Sequence, residues 1–228
     1  MGGGGFSFGT EWEGLDRFVL SLVDKKIPKV LFLPTATGDS PEYIVRFYNG
    51  FADKGCALSH LELFTRTVVD LRSLLMEQDV VYVGGGNTAN MLAVWRLHGV
   101  DDILRDAWAN GTVMTGESAG GLCWFEGGTT DSFGLDLSAL NDGLDIIKGS
   151  FSPHYDGEAR RRPRYHEFVG NGSLPDGIAA DNGCGLHFVD TELAEAVSLA
   201  DHMRAYHVRR VDDGVDEEPI TPRVLSVN

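Results

Sequence analysis

Val113-Met114-Thr115-Gly116-Glu117-Ser118-Ala119-Gly120-Gly121 is the stretch on which the fold turns. A short β-branched run enters it, and small residues leave it. Between them Gly116-Glu117-Ser118-Ala119-Gly120 matches G-x-S-x-G, in which a strand reverses abruptly into a helix with serine at the apex. The glycines two before and two after the serine suit a turn so tight that a Cβ would collide with neighbouring backbone. A helix opening at this point would aim its free N–H groups at the reaction centre. Such a turn needs a parallel strand ahead of it and a helix behind it, so the stretch predicts an α/β fold.

The flanking sequence agrees. Apolar runs at Lys29–Pro34, Ala57–Phe64, Asp79–Val83 and Thr112–Thr115 alternate with amphipathic stretches, the pattern of a mostly parallel sheet between helices. Helices are predicted at Thr10–Val23, after Ser40-Pro41, at Ala89–Leu97 and at Asp101–Ala109, the last ending at Asn110-Gly111. An apolar run at Leu144–Ile147 reads as the next strand, and Gly185–Val189 and Ala205–Val211 as an antiparallel extension or hairpin. Asp212–Pro222, acidic and proline-bearing, reads as an exposed segment. With 228 residues, 43% of them hydrophobic, one α/β domain is the expectation.

Charge and cysteine usage narrow the partners. A formal net charge of −15 repels a phosphate backbone, which argues against nucleic acid. Cys56, Cys123 and Cys184 are odd in number and lack metal-ligand spacing, so they read as buried thiols of a reducing compartment. Neither a basic-then-apolar leader nor an apolar run of about 18 residues occurs, which predicts a cytoplasmic protein without a membrane partner. Gly84-Gly85-Gly86 lacks both the dinucleotide spacing and a following Lys-Ser/Thr, so no nucleotide, cofactor or metal is expected.

A serine hydroxyl needs a base to remove its proton and a third group to orient that base. Among seven histidines, His154 follows the Leu144–Ile147 run in Ser152-Pro153-His154-Tyr155-Asp156, where a strand end would present it. His166 is nearby but reads as helical. For the third member Asp156, Glu158, Asp181 and Asn182 are candidates; Asp181 and Asn182 close the strand-like run Gly177–Ala180. An asparagine orients an imidazole through its carbonyl oxygen but adds no charge to stabilise the imidazolium. The N–H of Ala119 is one oxyanion donor, and the glycine loop at 84–86 is the source of a second.

Val83-Gly84-Gly85-Gly86-Asn87-Thr88, Gly116-Glu117-Ser118-Ala119-Gly120 and Pro153-His154-Tyr155-Asp156, in that order, resemble the peptidase E (aspartyl dipeptidase) family. That family is related to cyanophycinase and has a class I glutamine amidotransferase-like, flavodoxin-like three-layer sandwich. The resemblance implies a serine peptidase acting on short peptides, with Ser118 as nucleophile, His154 as base and Gly86 with Ala119 as oxyanion donors. It places Asn87, Thr88 and Arg160 at the substrate, and implies a preference for N-terminal aspartate and a homodimer. Members usually carry an acidic third residue where Asn182 falls, and a strand before the N-terminal glycine run. Serine before histidine before the third member also differs from the α/β-hydrolase order. Arg160, Arg161, Arg162 and Arg164 form the densest basic cluster, suited either to a solvated helix face or to holding a carboxylate. The same residues would serve another acyl hydrolase, an esterase, or a binding homologue with a weakened triad.

Overall fold

The computed structural model describes residues 1–226. Its first part runs α1 (Gly14–Ser21), β1 (Lys29–Leu33), α2 (Pro41–Phe51), β2 (Ala57–His60), α3 (Leu71–Met76), β3 (Val80–Val83), α4 (Thr88–His98), α5 (Val100–Ala109), β4 (Val113–Gly116) and α6 (Ala119–Leu122). The remainder is β5 (Phe125–Thr130), β6 (Ser138–Leu140), β7 (Ile147–Ser152), α7 (Arg161–Gly170), β8 (Gly177–Ala180), β9 (Cys184–Val189), β10 (Glu192–Ser198), β11 (Ala205–Val211), β12 (Gly214–Ile220) and β13 (Arg223–Val224). The architecture is the predicted mixed α/β, with parallel strands covered by helices.

Strands β2-β1-β3-β4 form a parallel sheet in that order. Successive side chains of a strand point to opposite faces, and β1 shows the consequence. Leu31 and Leu33 pack with Leu75, Trp95 and Leu104 from α3, α4 and α5, whereas Val30 and Phe32 pack with Val19, Phe47 and Phe51 from α1 and α2. On the second face Phe32 stacks on Phe47 at 4.7 Å, and Phe6 packs edge-on against both. Helix starts follow their caps: Ser40 and Asn87 accept the N–H groups of Tyr43 and Asn90, and Pro41 takes the first position of α2.

A second sheet, ordered β12-β11-β8-β7-β5-β6, is mixed, with β5, β7 and β8 parallel and a β11–β12 hairpin on one side. The third comprises β13-β10-β9.

Three expectations shift and a fourth is refined. The predicted helix at Thr10–Val23 is a 3-10 turn, Thr10–Trp12, followed by α1; the break lets Trp12 pack on Phe8 with ring centres 5.1 Å apart. The run Ala57–Phe64 leaves the sheet after His60 because Asp39 Oδ2 accepts the N–H groups of Leu63 (2.5 Å) and Phe64 (2.8 Å). The strand expected at Leu144–Ile147 starts only at Ile147, since Leu144, Asp145 and Ile146 donate instead to carbonyls of Cys123, Phe125 and Trp124. The segment expected to be exposed is so, but its residues Gly214–Ile220 pair with β11 as the edge strand β12, a position that tolerates Pro219.

The strand pairings position the site. β3 and β4 are parallel neighbours with Val83 opposite Gly116, so the glycine loop and the serine turn leave the sheet side by side. β7 and β8 are parallel neighbours with Ser152 opposite Ala179, so His154 and the Asp181-Asn182 pair do the same. Loops beyond the carboxyl ends of parallel strands are where such folds place their chemistry.

Candidate active site

Ser118 sits at φ 52°, ψ −116°, a left-handed conformation rare for a residue with a side chain. Close approach on either side enforces it: a Cβ on Gly116 would lie 2.4 Å from the Gly120 carbonyl oxygen, and one on Gly120 would lie 2.2 Å from that of Val83. The elbow read from the sequence is therefore a steric necessity here.

The N-terminal glycines join the two halves of the site. Ser118 N–H donates to the Met1 carbonyl (3.2 Å), and His154 N–H donates to the next carbonyl along, that of Gly2 (3.0 Å). Adjacent residues are 3.8 Å apart along the chain, so the Ser118 and His154 backbones are held on the order of 10 Å apart. Gly3 lies flat against the base: a Cβ there would fall 2.3 Å from Asn182 Oδ1 and 2.7 Å from two His154 ring atoms. The Met1 nitrogen donates to the Gly116 carbonyl (2.9 Å). The signal in the sequence was the run Gly2–Gly5 itself.

His154 is half-buried with φ 54°, and its Nδ1 is 2.7 Å from Asn182 Oδ1. An amide oxygen only accepts, so Nδ1 carries the proton and Nε2 is left with its lone pair free. Burial lowers the His154 pKa, with the Asn182 bond opposing it, which keeps the ring neutral as a base must be. Asn182 is positioned by its own N–H, which donates to Asp156 Oδ1 at 2.8 Å. Asp181 points elsewhere. Its Oδ2 accepts from Arg204 N–H at 2.9 Å, and burial pushes its pKa up to about 6. Glu158 pairs with Arg161 at 2.9 Å.

Backbone donors can be counted in the same way. In the glycine loop Gly84 N–H donates to Leu33, Gly85 N–H to the Tyr43 hydroxyl and Asn87 N–H to Ala36. In the elbow Ser118, Gly120, Gly121 and Leu122 are all engaged. Among the described residues the N–H groups of Gly86 and Ala119 have no partner. Two unpaired amides beside Ser118 are the kind of arrangement that can bind an oxyanion.

Asn87 and Thr88 serve α4 as cap and first residue, and Asn87 Nδ2 also donates to Ser132 O at 3.0 Å. Arg160 is exposed and pairs with Asp136 at 3.0 Å. Arg161 is buried against Thr129 O and Glu158, Arg162 binds Glu217, and Arg164 binds Glu167. His166 lies on α7 and also bonds Glu217, at 2.7 Å. A cavity of about 450 Å³ lies apart from these side chains, between β4, β9 and α1, lined by Leu15, Phe18, Met114, Phe151, Leu186 and Phe188. No cluster of three potential metal ligands occurs among the described residues, and no described helix is long and apolar enough to cross a membrane.

A serine at a strained strand-to-helix apex, in an α/β sandwich of class I glutamine amidotransferase type, defines the class: serine-type hydrolases of the elbow kind. Within it, residues 1–196 match the model of peptidase family S51, and the chain belongs to that family. It is therefore a serine-type peptidase. The chain is 48% identical over 225 residues to the uncharacterised peptidase YgaJ of Bacillus subtilis (strain 168), covering 99% of this chain and 97% of that protein. It is 28% identical over 135 residues to the uncharacterised peptidase Lmo0363 of Listeria monocytogenes, covering 55% and 65% of the two chains. Among solved structures, a peptidase from an acI-B1 Actinobacterium shares the fold with TM-score 0.69 at 15% identity, covering 97% of this chain and 92% of that one.

Proposed function

We propose that the chain hydrolyses short peptides through an acyl-enzyme on Ser118, with His154 as general base, Asn182 as its orienting partner, and Gly86 and Ala119 N–H groups as oxyanion donors. The observation that carries this reading is the clamp at Met1 and Gly2, whose consecutive carbonyls tie down Ser118 and His154. His154 Nε2 takes the Ser118 proton as Oγ attacks the scissile carbonyl. The resulting imidazolium is held through Nδ1–H by Asn182 and then protonates the leaving amine. Deacylation repeats the sequence with water. Asn182 fixes the tautomer without supplying charge, so it takes over the positioning share of an acid's role and not the electrostatic share.

A preference for N-terminal aspartate rests on Arg160, whose exposed pairing with Asp136 is weak enough for a substrate carboxylate to displace. Homodimeric assembly and a cytoplasmic location rest on the resemblance and on composition. A panel of Asp-X and neutral X-Y dipeptides, with wild type and Ser118→Ala, tests the reading. Loss of turnover in the variant and fluorophosphonate labelling of Ser118 in the wild type are expected. Undiminished hydrolysis by Ser118→Ala, or labelling elsewhere, would overturn it, and turnover confined to ester probes would make the protein an esterase.

A further inference from the structure

Tyr43 lies outside every motif that pointed to the site, yet it touches both of its backbone loops. Its position on α2 follows from the Ser40 cap, and its half-buried ring packs beside Phe6 and Phe32. From there the hydroxyl reaches Glu117 Oε1 at 2.5 Å, donating to it, and accepts the N–H of Gly85 at 3.0 Å. Glu117 is the residue immediately before the nucleophile, and Gly85 immediately precedes the Gly86 whose N–H is free.

We infer that Tyr43 and Glu117 are a positioning pair that locks the glycine loop against the nucleophile elbow and so aims the Gly86 N–H at the reacting carbonyl. The inference rests on the acyl-enzyme reading above, because it assigns the pair its purpose through the oxyanion donors.

The loop geometry shows why an anchor matters at this point. Gly86 has φ 136°, reached freely only by glycine, so nothing in its own backbone fixes where its N–H points. Two neighbours fix it instead. Gly85 N–H is held by Tyr43, and Asn87 N–H is held by the Ala36 carbonyl at 2.8 Å, so the free donor is bracketed by one bond on each side. The packing leaves no slack: a Cβ on Gly84 would lie 2.6 Å from Tyr43 Cε1, and one on Gly85 would lie 3.3 Å from Ser118 Cβ. The loop therefore rests on the tyrosine ring from below and on the nucleophile from the side.

Glu117 makes the anchor directional. A tyrosine hydroxyl has one proton, and a buried carboxylate 2.5 Å away claims it, which turns the oxygen's lone pairs toward Gly85. Burial raises the pKa of Glu117, opposed by the Ser7 and Tyr43 hydroxyls and the Gly4 N–H. A buried carboxyl beside Ser118 is costly unless it is engaged; Tyr43 engages Oε1, while Oε2 has no hydrogen bond of good geometry, so the tyrosine is the contact that joins the elbow to the glycine loop.

Tyr43→Phe tests the pair, since it keeps the ring and removes one oxygen. A displaced oxyanion donor acts on the transition state and not on ground-state binding, and removing one outright costs about 10²- to 10³-fold in kcat. For a donor that is loosened rather than removed, kcat is expected to fall about 10- to 100-fold with KM within twofold. A peptide boronate should lose affinity by the same factor as kcat/KM. Glu117→Gln, which still accepts the tyrosine proton through its amide oxygen, should retain most activity, whereas Glu117→Ala should behave like Tyr43→Phe. The inference is overturned if folded Tyr43→Phe keeps kcat within twofold, if KM rises instead of kcat falling, or if boronate affinity is unchanged. Fluorophosphonate labelling of Ser118 in the wild type separates these outcomes from failure of the acyl-enzyme reading itself.

Discussion

Replacing Asn182 by aspartate isolates what the third member contributes. The two side chains have the same shape, Oδ1 keeps its bond to His154 Nδ1 at 2.7 Å, and Asn182 Nδ2 donates no hydrogen bond among the described residues that would be lost. What changes is a unit negative charge beside the imidazole. Two unit charges about 4 Å apart interact by about 4 kcal/mol at the effective dielectric constant of roughly 20 that suits such pairs. At about 1.4 kcal/mol per pH unit this is a ceiling near 3 units. Desolvating the new carboxylate and its repulsion from Asp156, which already accepts the Asn182 N–H, take back part of it. The sign follows from the base's role. Neutral His154 is the active form, burial lowers its pKa in the wild type, and a neighbouring anion favours the imidazolium. The acid limb of the kcat/KM profile should therefore move to higher pH by about 1–3 units. On the plateau above it kcat should rise, because the same charge stabilises the imidazolium that forms in the transition state. The assay is a pH series with one turned-over peptide, alongside NMR titration of the His154 Cε1 proton. An acid limb that stays within 0.3 pH unit of wild type (about 0.4 kcal/mol), or moves to lower pH, would refute the assignment of Asn182 as the group on His154.

Three further outcomes follow from the geometry. Gly3→Ala places a methyl 2.3 Å from Asn182 Oδ1 and should lower kcat/KM at least about tenfold by tilting His154, read against a circular-dichroism spectrum that stays native. Asp16 is fully buried, neither carboxylate oxygen has a hydrogen bond of good geometry, and desolvation pushes its pKa up to about 7. Because the native state then holds a proton that the unfolded chain releases near pH 4, stability declines as pH rises from about 4 to 7. Asp16→Asn should remove that decline, on the order of 4 kcal/mol at most, and raise the calorimetric Tm at pH 8 more than at pH 5; parallel curves would contradict it. Arg160→Ala removes an exposed pair with Asp136 and an exposed hydrogen bond to the Leu135 carbonyl, and should change stability by less than about 1 kcal/mol. If Arg160 binds a substrate carboxylate, that variant raises KM for Asp-X peptides and leaves neutral dipeptides unaffected, and equal effects on both would dismiss the role.

The sequence by itself determined the elbow and the parallel sheet around it, because both are local. The Gly116-x-Ser118-x-Gly120 pattern is written in five consecutive residues, although part of the crowding that demands its glycines comes from Val83 at the end of the neighbouring β3, and the alternation in β1 and β3 follows from side chains pointing to opposite faces over a few residues. His154 was legible as a strand-end residue even though its strand begins at Ile147, later than the apolar run suggests. Tertiary structure decided which side chain backs it. Asp181 and Asn182 are neighbours on one chain end, and they diverge because the Arg204 N–H takes the aspartate while the His154 ring takes the asparagine. No periodicity encodes that choice. The same holds for Met1–Gly3, which span from the elbow to the base, and for Tyr43, which reaches Glu117 across 74 positions. Such contacts exist only once separate strands bring their ends together, so the chain spells out the Ser118 elbow locally while the groups that surround it arise from the assembled fold.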